Sequence, residues 1–251
     1  MKRVFVLAFT FVVLFVVSVA YAEDLTNLTL EELIALRDDT LSRLTDINSE
    51  ISRRTKQETE TDVTLGRIID LFPDETLAKV VRDACTKFSI EQPVTQDDLD
   101  KVTKIWMPSG KIHDLTGIGL CRNLTALGLY GCYEGETLPD ELQNCTELTN
   151  ISLGGNKSLV EIPAFIGNFE KLTRFGAPFT SIKSLPDSIG NLKKLKYLEL
   201  QYTDLASLPD TIGNCTSLKE LDISHTQIDH LPDSIYTLEL ESINMDGTNI
   251  R

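Results

Sequence analysis

The sequence predicts an α/β solenoid, with a curved parallel sheet on the concave side and a helical segment and helical cap in front of it. Two observations predict it. Two adjacent stretches, LKYLELQYTDLASLPDTIGNCTS from Leu195 and LKELDISHTQIDHLPDSIYT from Leu218, align as LKxLxIxxTxIxxLPDxI, with Leu and Ile interchanging. The same ruler runs along the chain: strand starts fall at Leu124, Leu148, Leu172, Leu195, Leu218 and Leu240, spaced 24, 24, 23, 23 and 22 residues. A degenerate earlier copy begins at Val102 (Val102, Ile105, Met107, then Ile112), so residues 102–251 form about seven coils. One coil is too small to bury its own leucines, so neighbours must stack to make a core. Strands about 4.8 Å apart then give a sheet spanning roughly 30 Å.

The LxxLxL spacing, with six or seven apolar positions recurring in order, resembles that of leucine-rich repeat proteins, a class of binding scaffolds. Such a pattern describes a scaffold and does not name a ligand.

Taken in order, residues 1–22 read as an export signal. Lys2 and Arg3 precede an apolar run from Val4 to Val19, and Ala20-Tyr21-Ala22 places small residues for cleavage after Ala22. The run is short for a membrane span, which needs about 20 residues. The expected product has no stable membrane anchor after cleavage and is secreted, extracellular or at the cell surface. The formal net charge of −14 includes Lys2 and Arg3, so the mature chain stands at about −16. That disfavours nucleic acid, whose binders need a basic face, and electrostatic docking on anionic lipid.

Residues 23–64 read as an N-terminal helix and a polar linker. Thr29 and Glu32 make a capping box, and Leu30, Leu33, Leu36, Leu41, Leu44, Ile47 and Ile51 form one apolar stripe. Gln57 to Thr64 (QETETDVT) is the linker. Residues 65–101 read as a helical cap. Pro73 suits a helix's first turn, Leu77, Val80, Val81, Ala84 and Phe88 share a helical face, and Thr95 with Asp98 has capping-box spacing. The order FPDETLAKVV, VTQDDLDKVTKI, KIHDLTGIGLCRNLTALGL resembles the helical cap and first repeat of internalin-like bacterial proteins, over roughly residues 70–130. Beyond it the LPDSIGN turns and 23-residue periods resemble plant-like repeat classes instead of the strict 22-residue internalin unit.

Within a coil, the position after the strand must satisfy turning backbone groups. It is held by Gly110, Cys132, Asn156, Thr180, Thr203, Thr226 and Thr248, and the threonines are expected to bond to neighbouring coils as Asn would. Pro163, Pro186, Pro209 and Pro232 start the return on the convex side, with Gly167, Gly190 and Gly213 relieving the turn. Five cysteines do not form a disulfide scaffold. Cys121, Cys145 and Cys215 recur in register as small core residues, and Cys121 with Cys145 is the one same-register pair close enough to bridge.

No HExxH, GxSxG or P-loop pattern occurs, and no Cys/His set has zinc spacing. No catalytic residue, cofactor or metal is therefore expected. The candidate site is the concave face: Trp106, Tyr130, Arg174, Phe179, Tyr197, Glu199, Tyr202, Asp222 and His225, with aromatics beside charges as in protein-recognition patches. The expected function is non-catalytic binding of a protein or glycan partner. Two alternatives stay open: a structural, self-associating surface component, or the recognition part of a two-part effector. Weak self-association is expected through Leu240–Ile250, where nothing after Ile250 but Arg251 follows the last strand.

Overall fold

The structure, a computed structural model, describes Thr29, residues 42–43, 45–47 and 49–50, and then 63–106 and 110–250. The chain divides into two units, residues 1–60 and 61–251. In the first, the described residues between 42 and 50 are helical, and the Ser49 hydroxyl donates to the Thr45 carbonyl one turn back at 2.8 Å. The export signal, the Thr29–Glu32 capping box, residues 57–62 of the linker and, apart from Ile47, the apolar stripe lie outside the described residues.

The second unit opens with a cap. Strand β1 (Thr64–Arg67) pairs antiparallel with β2 (Pro93–Thr95), and helices α1 (Ile68–Leu71), α2 (Glu75–Ala84) and α3 (Gln96–Leu99) surround them. Alternation over so few residues gave no sequence signal for this pair. Asp74 explains how the cap is fixed to the repeats. One carboxylate oxygen accepts from the Leu77 amide at 3.0 Å, capping α2, and the other accepts from the His113 amide in the first coil at 2.7 Å. Thr95 and Asp98 form the expected capping box on α3.

Two details differ from expectation. Pro73 sits before the N-cap and outside the first turn, because Asp74 takes the capping position. Phe88 does not join the α2 face: the helix ends at Ala84, Thr86 turns the chain at φ 56°, and Phe88 is 95% exposed.

The repeats form one parallel sheet in sequence order: β3 (Lys104–Trp106), β4 (Ala126–Gly128), β5 (Asn150–Ser152), β6 (Arg174–Gly176), β7 (Tyr197–Glu199), β8 (Glu220–Asp222) and β9 (Ser242–Asn244). Pairing keeps the apolar centres in line: Ile105, Leu127, Ile151, Phe175, Leu198, Leu221 and Ile243. Met107 lies outside the described residues. These residues and the leucines either side of them point into a core continuous with that of the cap. The chain is thus an α/β leucine-rich repeat solenoid with an N-terminal cap.

The opposite wall is made of short 3-10 turns. Five of them, starting at Asp140, Ala164, Asp187, Asp210 and Asp233, follow a proline in the N-cap position. Proline's fixed φ and missing N–H suit that position. The glycines in these turns serve close packing rather than turning. A Cβ on Gly190 would stand 2.4 Å from the Thr211 carbonyl oxygen of the next coil, and Gly167 faces Ser188 in the same way.

The buried post-strand positions also depart from expectation. Asn156 does bridge coils: Nδ2 donates to the Leu129 and Leu153 carbonyls at 2.9 and 2.6 Å, and Oδ1 accepts from the Tyr133 amide at 3.0 Å. Thr180, Thr203, Thr226 and Thr248 instead donate to the carbonyl three residues back in their own coil. All five cysteines are free thiols, so Cys121 and Cys145 do not bridge. The Cys145 thiol donates to the Ile118 and Cys121 carbonyls at 3.4 and 3.5 Å. Burial pushes its pKa up to about 12 and that of Cys215 to about 11.

Candidate partner-binding face

Side chains alternate across a strand, so the buried centre of each three-residue strand leaves its flanking residues on the concave surface. One row reads Lys104, Ala126, Asn150, Arg174, Tyr197, Glu220 and Ser242; the next reads Trp106, Gly128, Ser152, Gly176, Glu199, Asp222 and Asn244. Small residues dominate the early coils, and large polar and aromatic ones the later coils.

The predicted residues fall into groups. Arg174 stacks its guanidinium 4.0 Å from the centroid of the Tyr197 ring and also bonds to Glu199. These three therefore form one unit across β6 and β7, with the arginine's charge partly neutralised. Asp222 on β8 is held from two sides: Oδ1 accepts from the Ser224 amide and hydroxyl at 3.0 and 2.7 Å, and Oδ2 from Asn244 at 3.2 Å.

Phe179, Tyr202 and His225 form the second group. Their rings stack: Phe179 on Tyr202 at 4.6 Å and 9°, Tyr202 on His225 at 4.2 Å and 13°. All three backbones are left-handed, at φ 57°, 59° and 54°. The equivalent residues in flanking coils are Gly131, Gly155 and Gly247, also with positive φ. Only glycine adopts this conformation without strain; other residues cost on the order of 1 kcal/mol or more. The register that could have revealed this is visible in the sequence as a glycine column interrupted by Phe, Tyr and His.

Glycines on the coils flanking the stack make room for rings. A Cβ on Gly247 would stand 2.6 Å from Nδ1 of His225, and one on Gly154 would meet the Tyr130 ring at 2.7 Å and Pro178 at 2.9 Å. Trp106 lies apart, across Gly128, where a Cβ would come within 2.5 Å of the indole. Trp106, Tyr130, Phe179 and Tyr202 remain between 37% and 48% exposed. The structure does not gather all nine predicted residues into one patch. Trp106 and Tyr130 lie on the glycine-rich coils, while Arg174, Phe179, Tyr197, Glu199, Tyr202, Asp222 and His225 lie on the later ones.

Among the described residues no group of three or more His, Cys, Asp or Glu side chains is arranged to hold a metal ion. No helix among them is long and apolar enough to cross a membrane.

Residues 55–100 match the model for the bacterial adhesion/invasion protein N terminal, and residues 183–247 match the model for a leucine-rich repeat region. The first covers the cap, with its Asp74 and Thr95–Asp98 devices, and the second the last coils. The chain thus joins an internalin-like N-terminal cap to leucine-rich repeats. Its solenoid is similar to the crystal structure of an internalin, InlF, from Listeria monocytogenes, at 24% identity and a TM-score of 0.58, covering 75% of this chain and 60% of that one. It is also similar to the functional domain of InlJ from Listeria monocytogenes, which includes a cysteine ladder, at 21% identity and a TM-score of 0.56, covering 74% of this chain and 43% of that one. The Leptospira interrogans leucine-rich repeat protein LIC12759 matches at 25% identity and a TM-score of 0.50, covering 61% of this chain and 45% of that one. The chain thus spans 60% or less of the length of these three. No curated protein matches it significantly.

Proposed function

We propose that this chain is a non-catalytic recognition protein that binds a protein partner across the concave surface of its later coils. The observation that carries the reading is the Phe179–Tyr202–His225 stack. Three residues there accept left-handed backbones where neighbouring coils use glycine, and strain of that kind collects at functional sites. The early coils show that the sheet needs no aromatic at this position.

The stack favours a protein over a glycan. Sugars rest on aromatic faces, and both faces of Tyr202 and of His225 are covered, by Phe179, by each other and by Gly247. What they present outward is ring edge, with the Tyr202 hydroxyl and the imidazole beside it. Edges pack well against aliphatic and aromatic side chains of a polypeptide. The internalin-like cap, matched to an adhesion/invasion family, supports an exported chain acting outside the cell or on its surface, and the Ala20-Tyr21-Ala22 spacing favours Glu23 as the mature N-terminus.

The test is binding of a partner captured from envelope or host extracts. Wild-type chain should retain it, and Tyr202→Gly together with Tyr197→Ala should lose it at least tenfold with a melting temperature within a few degrees of wild type. Undiminished binding by that double variant would place the interaction elsewhere.

A further inference from the structure

Resting on the concave-face reading, the charge layout of the later coils narrows the partner's chemistry. We propose that the occupant of this face is an extended polypeptide segment carrying a Lys or Arg side chain, seated in the cleft between β7 and β9 beside the aromatic stack.

The cleft holds about 200 Å³ and is lined by Tyr197, Glu199, Gln201, Glu220, Asp222 and Asn244. Acceptors dominate it. Among the described residues Glu220 and Asp222 have no Lys or Arg partner, although cations stand nearby in sequence. Lys219 turns away to Glu241, at 3.8 Å, and to the Glu239 carbonyl, at 3.3 Å. Arg174 is committed to Glu199 and to the Tyr197 ring, which marks the boundary of the cleft. Gln201 supplies an independent sign of a missing donor: its Oε1 is buried and has no hydrogen-bond partner. A buried acceptor left without a donor is unfavourable, and a partner N–H that draws this side chain toward it would satisfy it.

Geometry favours a cation that arrives with its own groups spread out. Asp222 is already oriented by Ser224 and Asn244, so its carboxylate needs no rearrangement to accept. The aromatic stack covers two steps of 4.6 and 4.2 Å. Extended chain rises about 3.3 Å per residue, so three to four partner residues cross the stack while a neighbouring side chain enters the cleft. The net charge of −14 draws a cationic segment in and repels an anionic one.

The experiment selects a random dodecapeptide display library against the full chain. Synthetic versions of the enriched peptides are then measured with each Arg replaced by citrulline, or each Lys by acetyl-lysine, against wild type, Glu220→Gln/Asp222→Asn, Tyr202→Gly and a distant control, Glu170→Gln. The expected result is enrichment of Lys or Arg beside an apolar residue. Affinity should fall at least tenfold on neutralising the peptide or the two carboxylates, fall as salt rises, and hold in Glu170→Gln. The ligand-side replacement decides the matter even if the double variant folds poorly. Peptides that lose binding in Tyr202→Gly but are indifferent to charge overturn the cationic preference and leave the concave-face reading standing. Peptides unaffected by both the Tyr202 and the carboxylate variants overturn both. A library yielding no enriched peptide, or only neutral or acidic ones, overturns the inference.

Discussion

The Tyr202 ring lies 4.2 Å from the His225 imidazole and nearly parallel to it, and both residues are left-handed at φ 59° and 54°. Side chain and backbone pull in opposite directions here. The stack contributes about 0.5–1.5 kcal/mol, and the backbone costs on the order of 1 kcal/mol. Tyr202→Gly removes both, so its melting temperature is expected within a few degrees of wild type. Tyr202→Ala removes the stack and keeps most of the strain, so it should be the less stable of the two. Thermal melts followed by circular dichroism distinguish them. If alanine melts above glycine, the left-handed backbone at 202 is not what limits stability.

Much of this was legible in the sequence because one physical constraint repeats. A coil that cannot bury its own leucines imposes the same apolar spacing on its neighbours, so Leu127, Leu198 and Leu221 align without any structure. The Thr95–Asp98 capping box was readable for a similar reason: both partners lie within one turn. What was not readable depends on contacts between coils. The sequence shows Gly190 but not the Thr211 carbonyl it faces. It shows Phe179, Tyr202 and His225 at equal spacing but not the sign of φ that turns them into a stack. It shows Phe88 at helical spacing but not the positive-φ Thr86 that ends the pattern.

Gly190 makes the inter-coil contact testable. It has an ordinary φ, so alanine there is not strained by its backbone; the conflict is the 2.4 Å approach of a new Cβ to the Thr211 carbonyl oxygen. Backbone of a packed neighbour yields little. Gly190→Ala is expected to cost about 1–3 kcal/mol, read as a lower urea midpoint at unchanged slope. Gly131→Ala is the contrasting case: nothing lies within 4 Å of its Cβ, and only the φ of 66° opposes the change. Equal stability of Gly190→Ala and wild type would mean the coils are spaced more loosely than the structure has them.

Asn156 tests the buried post-strand position. It is 2% exposed and makes three hydrogen bonds, two of them to Leu129 and Tyr133 of the preceding coil. Threonine, the residue found at this position in four other coils, can reproduce only the bond to its own coil. Asn156→Thr should leave the Tyr133 amide without its acceptor, at about 1–3 kcal/mol for a buried group, while the Leu129 carbonyl keeps the Cys132 amide at 3.2 Å. Denaturant melts measure the loss, and hydrogen exchange at the Tyr133 amide should quicken. A variant as stable as wild type with that amide still protected would show that water or a shifted backbone replaces the asparagine.

Asp98 carries a pH signature for the cap. Burial by itself would raise its pKa, but hydrogen bonds from Lys87, the Thr95 amide and Lys101 outweigh that and hold it at about 2, against an ordinary 3.8. The ammonium groups lie 2.8 and 3.1 Å away. A carboxylate with a depressed folded-state pKa binds its proton less readily when folded than when unfolded. Its contribution to stability is therefore complete above the unfolded value, near pH 4, and is lost as the pH falls toward 2. Asp98→Asn removes the charge while keeping an oxygen that can accept from Thr95. Wild type should melt above Asp98→Asn at pH 6, and the gap should close between pH 4 and pH 2, other carboxylates titrating alike in both chains. High salt should narrow the gap at pH 6 only in part, since the Asp98 side chain is 13% exposed and its partners are screened less than a surface pair. A gap that stays constant down to pH 2 would assign the loss in Asp98→Asn to capping geometry rather than to charge.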